Sequence, residues 1–366
     1  MSRVLEAAVF CLCILAGNIQ ADWRPALRGW NYKFPDDHQN HPEFKTEWWY
    51  FTGNLTTAQG RQFGYQLTFF RQGVMPRDSD IIPLSHFVTS SVKFAHFAVS
   101  DLSGGNFHFF QKLSRGAFGE AGFGVRPRLA WIDDWSCTLE DESAFRIKAS
   151  AGDLALDLAL TAKKPLVIHG RNGVSQKADG EGKASHYYSF TRLASEGVLR
   201  LRGEEFSVSG SSWFDHEWAS NQLTANQSGW DWFSLQLEDG SDLMLFQIRT
   251  KDGGRDRNSA GTLVDANGTV TSLGEADFTL EALETWSSPE SGGDYPVRWR
   301  IVIPRLQTRL EVTAALKDQE LRLKPIMYWE GSIRAQGTMG EKNVNGSGYL
   351  EMTGYSGPVA GIQAEP

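Results

Sequence analysis

Cysteine is scarce in this chain, with three among 366 residues, at Cys11, Cys13 and Cys137. Two of them fall in an N-terminal stretch that reads as a secretory leader, so the mature chain keeps only Cys137 and closes no internal disulfide. Zinc sites built on thiolates are excluded by the same count. Long basic runs are missing too. With 36 Lys and Arg against 44 Asp and Glu, the formal charge is −8, which gives nucleic acid no electrostatic footprint. Past the leader, no apolar stretch reaches the roughly 18 residues that a spanning helix needs. The chain has no Gly-x-Ser-x-Gly elbow, phosphate loop or dinucleotide fingerprint. His216-Glu217 opens like a zinc-protease helix, but Ser220 stands where the second histidine belongs. Neither a metal nor a cofactor is expected.

The leader has recognisable parts: Arg3, an apolar core from Ala7 to Gly17, and the small-residue exit Ile19-Gln20-Ala21. Residues 1–21 are therefore read as a signal peptide, and the protein as exported, periplasmic or secreted. A lipid anchor is disfavoured, because Asn18 follows Leu15-Ala16-Gly17 where a lipidated cysteine would stand.

Apolar content of 41% is enough for real cores, and its pattern is all-β. Phe63, Tyr65, Leu67 and Phe69 share one parity; Leu154, Leu156, Leu158 and Leu160 repeat it, as do Trp299, Ile301 and Ile303. Such alternation predicts antiparallel strands with one packed and one wet face. The one helical candidate is 275–286. A faint duplication also appears. Glu47-Trp48-Trp49-Tyr50-Phe51 precedes a turn and a strand ending at Arg71; Gly229-Trp230-Asp231-Trp232-Phe233 precedes Asp239-Gly240 and a strand ending at Arg249. Two tandem barrels explain it, over residues 22–197 and 198–366, since closure removes sheet edges. With 13 Trp, 22 Phe and 9 Tyr, the inward surface would be an aromatic pocket.

The candidate chemistry lies in Trp213-Phe214-Asp215-His216-Glu217-Trp218. On a strand, His216 shares a face with Phe214 and Trp218, while Asp215 and Glu217 turn the other way with Trp213. Asp231 shares parity with Phe233 and Leu235, and needs a partner such as Arg249, His216 or an indole N–H. One reading makes His216 a buried acid/base working with Asp231 or Glu217 over an apolar ligand. The other makes the cluster a hydrogen-bonded clasp that ties strands together. Glu47, Trp48, Trp49 and Tyr50, with Tyr328, Trp329 and Glu330, repeat the theme of aromatics beside a carboxylate. His96 reads as a satisfied core histidine.

Several of these segments resemble the AttH-like, carotenoid 1,2-hydratase-related lipocalin-like family. They are 41–55 (HPEFKTEWWYFTGNL), 183–193 (KASHYYSFTRL), 213–218, 229–236, 328–331 (YWEG) and 346–355 (GSGYLEMTGY). The match is nearest the exported bacterial branch labelled as secreted hydrolases. It implies two tandem calycin-type antiparallel β-barrels and a pocket for a lipid, terpenoid or polyene. The ligand-binding set it suggests is Glu47, Trp48, Trp49, Tyr50, Trp218, Trp230, Trp232, Gln247, Tyr328 and Trp329; the catalytic candidates are His216, Asp231 and Glu217. In hydratases of this kind an acidic residue is expected where this chain has Gln247, which cannot protonate an alkene. A hydrophobic-ligand carrier, an enzyme acting on such a compound by acid/base chemistry, and a structural or transporter-associated envelope protein all remain as expectations.

Overall fold

Because a pleated strand sends neighbouring side chains to opposite faces, the alternation above fixes the layer structure before any long-range contact does. The computed structural model describes residues 22–76, 89–323 and 327–357; the expected leader lies outside them. Among the described residues the chain is all-β, with two antiparallel sheets and three short 3-10 turns.

The first sheet begins with β1 (Thr46–Thr57), β2 (Gln62–Gly73), β3 (Ser91–Asp101) and β4 (Asn106–Ser114). Shorter strands follow: β5 (Ala121–Val125), β6 (Arg128–Ile132), β7 (Trp135–Asp141), β8 (Ala144–Ala151) and β9 (Leu154–Ala162). Then β10 (Val167–Ile168) and β11 (Ser175–Gln176) lead into a long hairpin, β12 (Ala184–Leu201) and β13 (Glu204–Ala219). The order β4-β3-β2-β1-β13-β12-β9-β8-β7-β6-β5 curls until β6 meets β3 and β4, which nearly closes a barrel. Its interior is a cluster of buried side chains that includes Trp49, Phe51, Phe97, Trp135, Phe214 and Trp218. Each buried phenylalanine of this kind contributes about 1.5–3 kcal/mol, so two or three replace what a disulfide would supply.

The second sheet runs β14 (Gln227–Leu237), β15 (Asp242–Thr250), β16 (Ala260–Val264), β17 (Val270–Gly274) and β18 (Thr279–Ser287). It continues with β19 (Asp294–Ile303), β20 (Thr308–Ala314), β21 (Glu320–Arg322), β22 (Met327–Met339) and β23 (Lys342–Thr353). In the order β17-β16-β15-β14-β23-β22-β20-β19-β18 the two end strands do not pair, so this sheet is a curled half-barrel. The expected helix at 275–286 is instead a 3-10 turn, Glu275–Asp277, followed by β18. Thr279, Thr285 and Trp286 favour extended backbone, and Leu280 and Trp286 pack on the second core.

The chain passes from one sheet to the other at 220–226, not at 197–198. β12 and β13 are paired from Ser185↔Ala219 to Leu201↔Glu204, and β13 pairs onward with β1, so a boundary at 197 would cut a hairpin. Another expectation changes here. The central strands β1 and β2, with β12 over 184–191 and β13 over 212–219, are buried on both faces, because their outer side packs on the second sheet. Gly64 permits that approach; a Cβ there would lie 2.7 Å from Tyr349 Oη and 2.9 Å from Ser332 Cβ. Asp242 locks one end of the seam, accepting from Thr191 Oγ1 at 2.8 Å and pairing with Arg192 at 2.6 Å and Lys164 at 2.7 Å.

Candidate functional site

Strand β13 sorts its own chemistry. Phe214, His216 and Trp218 enter the barrel core, and Trp213, Asp215 and Glu217 face the second sheet. Inside the barrel His216 Nε2 lies 3.0 Å from Glu47 Oε1, and its Nδ1 lies 3.1 Å from Tyr188 Oη. Glu47 also holds His41 Nδ1 at 2.8 Å and Arg71 Nε at 3.2 Å, and His41 Nε2 reaches Asp37 at 3.1 Å. The His41 ring stacks on Trp218 with centroids 3.8 Å apart. Burial alone would raise the Glu47 pKa, but the His41 charge, the hydrogen bonds from His216 and His41, and Arg71 hold it far below the carboxylate range. His41 shows the converse: burial works against its charge, yet Glu47 and Asp37 lift it to about 9. Burial pushes His216 down, against the pull of Glu47.

This is the clasp. His41, Glu47 and His216 also bring three potential metal-ligand atoms within 4.8 Å of one another. Those atoms already bond each other, and a cation would have to displace Arg71 from the carboxylate. The geometry is that of a closed ion-pair network.

Asp231 enters the other core, beside Phe233 and Leu235. It pairs with Arg249 Nε at 3.2 Å and accepts from Gln247 Nε2 at 2.7 Å. The duplication seen in the sequence thus has a physical counterpart. In each half an arginine on the second strand turns back onto an acid of the first, Arg71 onto Glu47 and Arg249 onto Asp231. The three catalytic candidates therefore occupy three places. His216 sits in the first core and Asp231 in the second, and only Glu217 faces the space between the sheets.

That space contains a cavity of about 400 Å³. The expectation of a pocket inside a barrel is corrected here, since this cavity is walled by the faces that the two sheets turn towards each other. Trp48, Tyr50, Trp230, Trp232 and Tyr328 line it, with Tyr187, Phe246 and Phe94. Trp49, Trp218 and Trp329 have the opposite parity and belong to the cores. Gln247 is spent on Asp231, and Glu47 borders the cavity with its carboxylate already engaged.

Four carboxyl groups converge on the aromatic space: Asp215 and Glu217 from β13, Glu330 from β22 and Glu351 from β23. Asp215 accepts from Tyr187 Oη at 2.8 Å and Trp213 Nε1 at 2.6 Å, and from Ser189. Tyr187 in turn accepts from Trp232 Nε1 at 3.2 Å, which joins the two sheets. Despite these donors, burial raises Asp215 to about 7. Burial likewise lifts Glu351 to about 8. Glu330 is 1% exposed and closes no hydrogen bond at either oxygen. Burial first, then the neighbouring Glu351, drives it well above the carboxylate range, tempered by the Tyr50 and Tyr328 hydroxyls. Behind Tyr328, His96 Nδ1 lies 2.7 Å from its hydroxyl and Gln66 Nε2 donates to it at 3.2 Å. Gln111 Nε2 approaches His96 Nε2 at 3.2 Å, which places the His96 proton on Nδ1. Charge at Glu217 is matched by Lys177 Nζ at 3.2 Å.

Sequence reasoning passed over Asp215, Glu330, Glu351 and Tyr187 as site residues. Their signal was parity: Tyr328 and Glu330 share a face opposite Trp329, and Tyr349 and Glu351 share one opposite Leu350. His96 is a satisfied core histidine as read, and it also borders the cavity.

The AttH-like family profile matches residues 25–355. No curated protein is significantly similar in sequence. Among solved structures, a protein described as an AttH from Nitrosomonas europaea is 35% identical, with a TM-score of 0.81, covering 91% of this chain and 99% of its own. Kievitone hydratase from Nectria haematococca is 17% identical, with a TM-score of 0.70, covering 89% of this chain and 93% of its own; at that identity the likeness is one of fold.

Proposed function

This chain belongs to the AttH-like family, and from that premise we propose that it binds an apolar, unsaturated molecule between its sheets and adds water across a carbon–carbon double bond. The observation that carries this reading is Glu330: a buried carboxyl in the wall of an aromatic cavity, with the Tyr50 and Tyr328 hydroxyls near it and no hydrogen bond closed at either oxygen. Burial and the neighbouring Glu351 push such an acid well above the carboxylate range and so favour its protonated form, which has a proton to give. In the reaction Glu330 transfers that proton to one alkene carbon, and the π electrons form the new C–H bond. The neighbouring carbon becomes cationic, and the faces of Trp48, Tyr50, Trp230 and Trp232 stabilise it. Water adds to the cation, and the proton it loses returns to the Glu330 carboxylate, which restores the acid. Asp215 and Glu351 supply acceptors that orient the water. The hydratase chemistry in the name of the kievitone enzyme, which shares the fold, is consistent with this arrangement.

The test is incorporation of oxygen from H2(18)O into a panel of terpenoid and polyene alkenes, with binding followed in parallel by quenching of tryptophan fluorescence. Wild type is expected to bind and label at least one compound. Glu330→Gln is expected to keep affinity within about threefold and lose about 10²-fold or more in rate, the usual scale for a missing general acid. Binding without labelling by the wild type would leave a carrier in place of an enzyme. Export through residues 1–21 belongs to the same proposal, and N-terminal sequencing of protein recovered outside the cytoplasm should begin at Asp22.

A further inference from the structure

We propose that this cavity selects lipophilic cations, taking an apolar amine as its ammonium ion in preference to a neutral or anionic molecule of the same shape. The inference rests on reading the cavity as the ligand site, but not on any reaction there. Its basis is a charge count over every element that borders the space. Glu47 of β1 is neutralised by Arg71 of β2 at 3.2 Å, and Glu217 of β13 by Lys177 at 3.2 Å. His96 of β3 is buried and neutral, held by Tyr328 and Gln111. Asp215, Glu330 and Glu351 remain, and among the described residues none of the three is paired with a cation. Glu330 supplies the independent sign of a missing partner, being 1% exposed in the cavity wall with no hydrogen bond closed at either oxygen.

Lys177 shows what the walls accept. Its ammonium sits 4.2 Å from the centroid of Phe246 and 5.2 Å from that of Tyr187, with a carboxylate completing the site. The same elements recur in the cavity wall without an ammonium: Trp48, Tyr50, Trp230 and Trp232 line it together with the three uncompensated acids. An alkylammonium ion entering there finds ring faces and acceptors together, and its arrival ionises carboxyls that are neutral in its absence.

The test uses three eight-carbon probes of different charge, octylammonium, 1-octanol and octanoate, titrated into the mature protein at pH 7 by calorimetry. Octylammonium should bind at least about tenfold more tightly than octanol, with octanoate weakest. Repeating the titration in buffers of different ionisation enthalpy should show protons released with the amine and none with the alcohol. Glu330→Gln, alone and with Glu351→Gln, should bring the amine towards the affinity of the alcohol while octanol binding persists; the single variant serves if the double one does not fold. Octanol binding as tightly as octylammonium would overturn the cation proposal and leave the ligand site standing. If no probe binds, the cavity reading falls with it.

Discussion

Asp215, His216 and Glu217 are adjacent in sequence and separate in role, because each step along a strand turns the side chain over. His216 holds Glu47 within a dry core, and its removal tests the clasp against catalysis. His216→Ala is expected to destabilise the fold by about 2–4 kcal/mol through a cavity and a weakened ion pair, seen in the urea midpoint, while octanol affinity stays within about threefold. Lost binding in a fully folded variant would return His216 to the site. Glu47→Ala should be worse, at about 3–5 kcal/mol, since it strands the charges of His41 and Arg71. The parity of His216 and Asp231 was legible in the sequence, and so was Arg249 as a partner for Asp231. Their separation was not, because parity says which residues share a face and nothing about what covers it. Glu330 was in view beside Trp329 and was passed over for the same reason.

Strands and turns were readable where alternation was clean, as in β2, β9 and β19. Reading failed at β18, where Glu275-Ala276-Asp277 starts like a capped helix and the β-branched and aromatic residues after it do not continue one. It failed again at the β12–β13 hairpin, whose turn at 202–203 looks like a domain boundary although both arms belong to one sheet. The seam has its own pressure point in Gly64. A methyl there meets Tyr349 and Ser332 of the second sheet, so Gly64→Ala should part the sheets locally. The expected cost is about 1–3 kcal/mol, with octanol binding weakened by about tenfold or more and the far-ultraviolet circular dichroism unchanged. Unaltered binding would mean that the cavity does not depend on close apposition at β2.

For the whole molecule, the buried acids tie stability to pH. In the folded state Glu351 keeps its proton up to about 8, whereas the unfolded chain releases it near the ordinary carboxylate value of 4.5. Its contribution is complete below the lower value and is lost as pH rises through the upper one; Asp215, raised to about 7, has the same sign. Glu47 and Asp37, held low, act in the opposite direction and lose their contribution as pH falls. Glu351→Gln should therefore gain on wild type between pH 5 and 9, by about 1–3 kcal/mol in urea unfolding at about 1.4 kcal/mol per pKa unit after allowance for partial exposure. Equal differences at both ends would show that Glu351 ionises freely. The cavity had no local sign in the sequence, because its walls come from strands as far apart in the chain as β1 and β23 and exist only once the two sheets dock. That arrangement divides the labour of mutation. Along β1, Glu47, Trp49 and Phe51 build the first core, while Trp48 and Tyr50 face the cavity; along β14, Phe233 and Leu235 do the first task and Trp230 and Trp232 the second. A library randomised only at the outward positions would vary the cavity wall and the seam between the sheets together while leaving both sheet cores intact, so its members would be sorted by docking as well as by ligand preference.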